Sequence, residues 1–121
     1  MDIRKLQKIV VSALEDIKGK DIEVINTTKL TSMFDRLVIA TGDSNRQVRS
    51  LANNVQEKVK EAGGEVLSTE GEDSGEWVLV DLGDIVVHIM QPTVRQYYNL
   101  EELWQATPAQ RRKAAEQAAG E

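Results

Sequence analysis

The sequence predicts an α/β fold in which a mixed five-stranded sheet is flanked by helices. Three observations predict this class. Residues 3–18 and 44–62 repeat apolar side chains with the 3.6-residue period of amphipathic helices. Short runs rich in β-branched residues lie between and after them, as is typical of strands. The resulting order is helix, strand, strand, helix, three strands and a helix, which is typical of helices packed on a mixed sheet.

The first helix is predicted over residues 3–18. One of its faces carries the apolar residues Leu6, Ile9, Val10, Ala13, Leu14 and Ile17. Asp2 is suited to cap its first turn, and Gly19 is suited to end it in a left-handed turn. The next stretch, 21–28, alternates apolar and polar residues, which predicts a short strand open to solvent on one side.

A continuous apolar run, Leu37–Ala40, predicts a strand that is buried on both faces and lies centrally in the sheet. The second helix follows this strand, and either Asp43 or Ser44 is suited to be its N-cap. The glycine pair that begins at Gly63 is expected to stop it.

The rest of the chain completes the sheet and adds a helix. A third, short strand is predicted at 65–70, and residues 76–90 predict a β-hairpin that supplies the fourth and fifth strands. A partly helical segment is predicted after Pro92. Residues 106–121 are polar and rich in alanine, without a wide apolar face, which predicts a frayed helix or a disordered tail.

In the hairpin, Leu82 and Gly83 are predicted to form a two-residue loop, so that Asp81 lies opposite Asp84. Side chains alternate between the two faces of a strand. One face therefore carries only aliphatic residues and belongs on the core: Val78, Val80, Ile85, Val87 and Ile89. The opposite face, called the mixed face below, carries Trp77, Leu79, Asp81, Asp84, Val86, His88 and Met90.

Two interpretations of the mixed face stay open. Facing carboxylates cost stability, which favours a cation supplied by another molecule. In the structural interpretation, Trp77 packs over the sheet against a helix, His88 is hydrogen-bonded within its own chain, and Met90 fills space in the core. A metal site shared by the hairpin acids and His88 is excluded, because four residues at about 3.3 Å each separate His88 from Asp84.

The turn before the second helix, "TGDSNR" at 41–46, gives a different alternative. A strand that leads into a turn with glycine and serine, followed by a helix start, can bind phosphate. The residues match neither the P-loop nor the dinucleotide-binding fingerprint. A nucleotide-binding, transferase-like enzyme therefore stays open beside the interpretation as a tight turn and a helix cap.

Length and composition fit one globular domain of 121 residues. A net charge of −5 argues against a protein that neutralises nucleic-acid phosphates and favours a basic partner. The absence of cysteine excludes disulfides and thiolate metal sites. The N-terminus lacks the continuous apolar segment of a signal peptide, and no run approaches the ~18 residues of a membrane span. We therefore expect a cytoplasmic protein.

Three stretches carry a family resemblance: "DRLVIATGDSNRQVRSLANNV", "EGEDSGEWVLVDLGDIVVHIM" and "RQYYNLEELW". On these stretches the chain resembles the ribosomal silencing factors, also called the Iojap family. The resemblance implies a family domain over residues 1–105 and leaves 106–121 as a tail outside the shared region. It implies a nucleotidyltransferase-like fold without the catalytic carboxylates, and therefore no enzyme activity, no cofactor and no metal.

The resemblance also implies a partner and a role in translation. It implies binding to the large ribosomal subunit through ribosomal protein L-fourteen, which blocks the joining of the small subunit and lowers translation under nutrient limitation. It implies no membrane partner. A minor contact of Arg111, Arg112 and Lys113 in the tail with ribosomal RNA stays open. A weak homodimer stays open as an alternative to a monomer.

The resemblance implies a set of residues that contact this partner. The set is Trp77, Asp81, Leu82, Asp84, His88, Met90, Tyr98 and Glu101. Trp77 and Tyr98 offer large, rigid contact area, and Leu82 is expected to project from the hairpin turn. The three acids are expected to pair with arginine or lysine, whereas the histidine and the methionine border the patch. Arg95 is expected to lie inside, paired with an acid of the last helix.

Overall fold

The elements follow the predicted order within residues 1–105, which are the residues that the computed structural model describes. They are α1 Ile3–Asp16, β1 Lys20–Asn26, β2 Arg36–Thr41, α2 Asn45–Glu61, β3 Ser68–Glu70, β4 Trp77–Asp81, β5 Ile85–Met90, α3 Pro92–Tyr98 and α4 Leu100–Gln105. The predicted tail 106–121, with its three basic residues, lies outside the described residues.

The five strands form one mixed sheet in the order β1-β2-β5-β4-β3. Strands β2 and β5 run parallel, and the other neighbouring pairs are antiparallel. The predicted fold class is therefore confirmed. The predicted burial of β2 on both faces is confirmed as well, since Leu37–Ala40 are fully buried, although β5 rather than β2 is the central strand.

Each face of the sheet has its own hydrophobic core. Helices α1 and α2 cover one face, where the aliphatic side of the hairpin packs, as predicted. The other face buries Ile25, Leu37, Ile39, Val86 and Met90. Apolar residues of the loop before β2 and of α3 and α4 pack on this second core. The mixed face of the hairpin therefore belongs in part to the interior.

The helix ends follow local backbone chemistry. The Asp2 carboxylate accepts a hydrogen bond from the Arg4 N–H, and the Ser44 hydroxyl caps α2 by accepting from Gln47 N–H. The prediction that Gly19 ends α1 in the left-handed conformation is wrong. Lys18, with φ 61°, adopts this conformation instead. Gly19 instead donates its N–H to the Leu14 carbonyl, which closes the last turn.

The segment after β5 is helical, as predicted, but it is divided. Helix α3 begins at Pro92, and Asn99 ends it in the left-handed conformation with φ 47°. The chain then changes direction, and α4 brings Trp104 against Phe34 with a distance of 5.3 Å between ring centroids. Within residues 1–105, no helix is long and apolar enough to cross a lipid bilayer.

The predicted register of the β4–β5 hairpin is wrong by two residues. Trp77 lies opposite Met90, and Asp81 lies opposite Val86 rather than Asp84. The loop consists of Gly83 and Asp84, because Gly83 has φ 90°, as the first loop position of a type II′ turn requires. A shift of two residues keeps every strand side chain on its predicted face. The predicted repulsion between two facing carboxylates, however, does not occur.

Candidate functional site

An open, mostly apolar groove of about 440 Å³ lies on the same face of the sheet as the second core. Its floor is formed by strands β2, β4 and β5, and its walls by the loop before β2, by α4 and by residues next to β3 and the hairpin turn. The lining residues are Met33, Phe34, Leu37, Leu67, Leu79, Asp81, Gly83, Val86, His88, Leu100 and Trp104. We call this feature the apolar groove.

The rim of the apolar groove exposes large apolar side chains. Met33 in the loop before β2 is 81% exposed, and Leu67 before β3 is 57% exposed. Exposed apolar residues that cluster around a concave surface mark interaction sites more often than isolated ones do. Neither residue is among the contact residues expected from the sequence. Met33 lies outside the predicted strands and helices, whereas Leu67 lies in the strand predicted at 65–70 but precedes the observed β3.

An aromatic cluster stands beside the groove. The indole of Trp77 is half-buried, with its ring centroid 4.8 Å from that of Tyr98 on α3. Tyr98 is 53% exposed, and its ring centroid lies 5.0 Å from that of its neighbour Tyr97. The structure therefore brings together two predicted contact residues, one from β4 and one from α3. Their own chain covers part of the indole, and the Tyr98 ring remains accessible.

His88 links the aromatic cluster to the groove. The Trp77 indole N–H donates a hydrogen bond of 2.9 Å to Nδ1 of His88, whose ring also lines the groove. Burial lowers the pKa of His88 from 6.5 to about 4, because the interior disfavours the charged imidazolium. The side chain is therefore neutral at physiological pH.

The two hairpin acids have different environments. The Asp81 carboxylate lines the groove and accepts a hydrogen bond of 2.8 Å from the Gly83 N–H, which helps to hold the turn. Asp84 is exposed in the loop, and no ion pair involves it in the part of the chain that the structure describes. Asp84 therefore offers a negative charge at the end of the hairpin.

Two predicted contact residues are buried, and a third is paired within the chain. Leu82 is only 7% exposed, because its side chain points to the α1–α2 side and joins the first core. Met90 is fully buried in the second core, where α3 and α4 pack. Glu101 is paired internally with Arg95 at 2.5 Å. The prediction that Arg95 pairs with an acid of the last helix is confirmed. The contact of Glu101 with a partner stays a prediction, since its side chain is engaged within the chain but partly exposed.

The turn at 41–46 uses its polar groups within the chain. Ser44 caps α2, the Gln47 side-chain oxygen accepts from the Asp43 N–H, and the Asp43 carboxylate pairs with Lys20 at 2.5 Å. The Thr41 hydroxyl accepts a hydrogen bond of 2.8 Å from Arg95. These contacts match the interpretation of this segment as a tight turn and a helix cap, and they engage the side chains of Thr41, Asp43 and Ser44.

The fold and the site define a class: a small α/β domain with a mixed sheet and an open apolar groove. Within residues 1–105, no group of three or more histidine, aspartate or glutamate side chains is placed to hold a metal ion. The chain belongs to the family described as ribosomal silencing factor during starvation, whose model matches residues 1–121. The resemblance predicted from the sequence is confirmed. The family is named for a regulatory rather than a catalytic role.

Individual relatives agree with this assignment. A ribosomal silencing factor of Chromobacterium violaceum is 61% identical over 104 residues, which are 86% of this chain and 85% of that protein. A crystal structure of a C. violaceum protein, 59% identical, superposes with a TM-score of 0.86 over 88% of this chain and 89% of its own. The mouse protein named mitochondrial assembly of ribosomal large subunit protein 1 is 31% identical over 99 residues, which are 79% of this chain and 43% of the mouse protein.

Proposed function

We propose that this protein is a translation repressor that binds the large ribosomal subunit through ribosomal protein L-fourteen. Bound there, it blocks the joining of the small subunit and lowers translation under nutrient limitation. The observation that carries the proposal is the apolar groove with its exposed rim, beside an accessible aromatic cluster. Family membership supports the ribosome as the partner, and the name of the mouse relative refers to the large subunit.

The chemistry of the groove favours a protein partner over a small molecule. The groove is open and its lining is mostly apolar, so it suits an apolar side chain presented by a protein surface. Trp77 and Tyr98 add rigid aromatic area beside it, which is typical of residues that dominate binding energy. The proposed contact set therefore contains these two aromatic residues together with Met33 and Leu67 on the rim.

Charge supports a basic partner. Asp81 in the groove and Asp84 at the hairpin turn are both negative, and the whole chain carries −5. A ribosomal protein that contacts RNA is expected to be basic, and opposite charges steer association and set orientation. Repression by steric exclusion requires binding alone, so we propose no catalytic role, no cofactor and a cytoplasmic site of action. Residues 1–105 are the proposed binding unit.

Replacing Trp77 with alanine is expected to weaken binding to isolated large subunits by about 2 kcal/mol, or about 30-fold. The change removes the indole from the aromatic cluster and leaves Tyr98 without its ring contact on β4. Co-sedimentation of the purified protein with isolated large subunits, over a range of subunit concentrations, measures the change. Small subunits are expected to retain no protein.

Lys8→Ala is the matched control, because Lys8 is exposed on α1 at the opposite face of the sheet. We expect it to bind like the unchanged protein. Circular dichroism checks that each variant is folded before sedimentation. A folded variant that lacks both Trp77 and Tyr98 side chains and still binds with unchanged affinity would exclude this cluster from the interface.

A further inference from the structure

We propose that His88 is a specificity determinant of the apolar groove, where its Nε2–H donates a hydrogen bond to a neutral carbonyl oxygen of the bound partner. This inference rests on the proposed function and names the chemical group that the same site recognises. Three features of the structure carry it: the hydrogen bond from Trp77, the apolar surroundings of the ring, and the charge around the groove.

The hydrogen bond from Trp77 determines which nitrogen of His88 carries the proton. An indole N–H can only donate, so Nδ1 of His88 must be the acceptor in the 2.9 Å hydrogen bond. In a neutral imidazole, one nitrogen accepts and the other carries a hydrogen. The hydrogen of His88 therefore lies on Nε2, and the ring offers the groove a donor rather than an acceptor.

The surroundings of the ring leave this donor without a partner from its own chain. His88 lies opposite Leu79 on β4 and beside Ile39 on β2, and both neighbours are apolar. Among residues 1–105, no hydrogen bond joins Nε2 of His88 to an acceptor. Water can reach the half-buried ring while the groove is open. A docked partner displaces this water, and an N–H left unpaired then costs binding energy.

The charge around the groove favours a neutral acceptor. Asp81 lines the groove together with His88, and Asp84 stands at the end of the hairpin. A carboxylate or a phosphate oxygen of the partner would be repelled by these two acids. A backbone carbonyl oxygen accepts a hydrogen bond without a net charge. The expected partner segment therefore presents a main-chain carbonyl between apolar side chains, with basic residues near the two acids.

Two substitutions distinguish the contributions of the two ring nitrogens of His88 to binding. In His88→Asn, the side-chain amide ends where Nδ1 lies, so it can still accept from Trp77 but offers nothing at Nε2. In His88→Gln, the longer amide reaches the Nε2 position and keeps a donor there. We expect the Asn variant to bind isolated large subunits about tenfold more weakly than the unchanged protein, and the Gln variant within about threefold of it.

The ring itself provides a second readout. Because His88 is the only histidine, the long-range ¹H–¹⁵N spectrum contains one pair of ring nitrogens. We expect the proton on Nε2 in the free protein at neutral pH. We also expect Trp77→Phe, which removes the donor to Nδ1, to yield a mixture of the two tautomers. A purely structural role for His88 would not link its tautomer to the affinity for the subunit.

The outcomes are distinguishable. Equal binding by the Asn variant and the unchanged protein would overturn the inference, and so would equal weakening in both variants or a proton on Nδ1. In each of these cases the unchanged protein still binds large subunits, so the proposed function survives. Absence of binding by the unchanged protein would instead refute the proposed function together with the inference.

Discussion

Gly71→Ala is expected to lower the free energy of unfolding by about 4 kcal/mol. Gly71 has φ 87°, in the left-handed region, where a side chain costs about 1–2 kcal/mol. A Cβ atom at this position would also lie only 2.0 Å from the carbonyl oxygen of Trp77. Because the obstacle is backbone, the strand itself must move, which adds about 1–3 kcal/mol. Urea denaturation followed by far-ultraviolet circular dichroism measures the loss.

Gly63→Ala isolates the effect of the close contact. Gly63 has the same φ of 87°, but a Cβ there would meet no atom within 4 Å. Its replacement is therefore expected to cost only about 1 kcal/mol. Equal losses at the two glycines would contradict the prediction. The comparison also bears on the site, since the movement that relieves the contact at Gly71 displaces Trp77, the residue that holds His88.

The helices and the buried strand could be predicted because local patterns decide them. The apolar residues of α1 and α2 recur once per helical turn, and that stripe is the surface buried against the sheet. The run Leu37–Ala40 has no polar side to expose, so only a strand covered on both faces satisfies it. In these elements, the pattern of apolar and polar residues is enough to predict both the secondary structure and which side chains are buried.

The hairpin register depended on one backbone angle. Placing the loop at Leu82-Gly83 or at Gly83-Asp84 changes the pairing of every residue in both strands. The positive φ of Gly83 at the first loop position selects the second arrangement. Leu82 is then the last residue of the aliphatic face and enters the first core. Because of the wrong register, Leu82 was expected at the surface of the turn and is instead buried. The assignment of the strand residues to the two faces was not affected.

The groove residues of the two hairpin strands were expected on one face, whereas those outside the hairpin were not. Asp81 and His88 were assigned to one side of the hairpin, and both line the groove. Met33 and Leu67 reach the same groove from segments whose positions depend on the packing of the whole domain. Met90 shares the side of His88 but is covered by the last helices, which strand alternation cannot reveal.

The mixed face is therefore part core and part surface, and this division bears on the proposed binding. Met90 is buried in the second core, Val86 belongs to that core and also lines the groove, and His88 and Asp81 on the same side reach the groove. A contact surface attached to a packed core is held in one geometry before binding. Less conformational entropy is then lost when a partner docks.

Lowering the pH from 7 to 4 is expected to reduce the free energy of unfolding by up to about 3 kcal/mol through His88 alone. Burial lowers the pKa of His88 to about 4 in the folded protein, against 6.5 in the unfolded chain. Between these values the unfolded chain binds more protons, so stability falls as the pH falls. The loss begins near pH 6.5 and is complete below the folded pKa. Urea denaturation at several pH values between 7 and 4 measures it.

His88→Gln provides the reference for this measurement, because glutamine does not titrate and the carboxylates contribute equally to both proteins. The unfolding free energy of the unchanged protein minus that of the variant is expected to decrease steadily as the pH falls from 6.5 to 4. An ¹H NMR titration of the single histidine gives its folded pKa directly. A value near 6.5, or parallel pH profiles for the two proteins, would mean that burial does not lower the pKa of His88 in the folded protein.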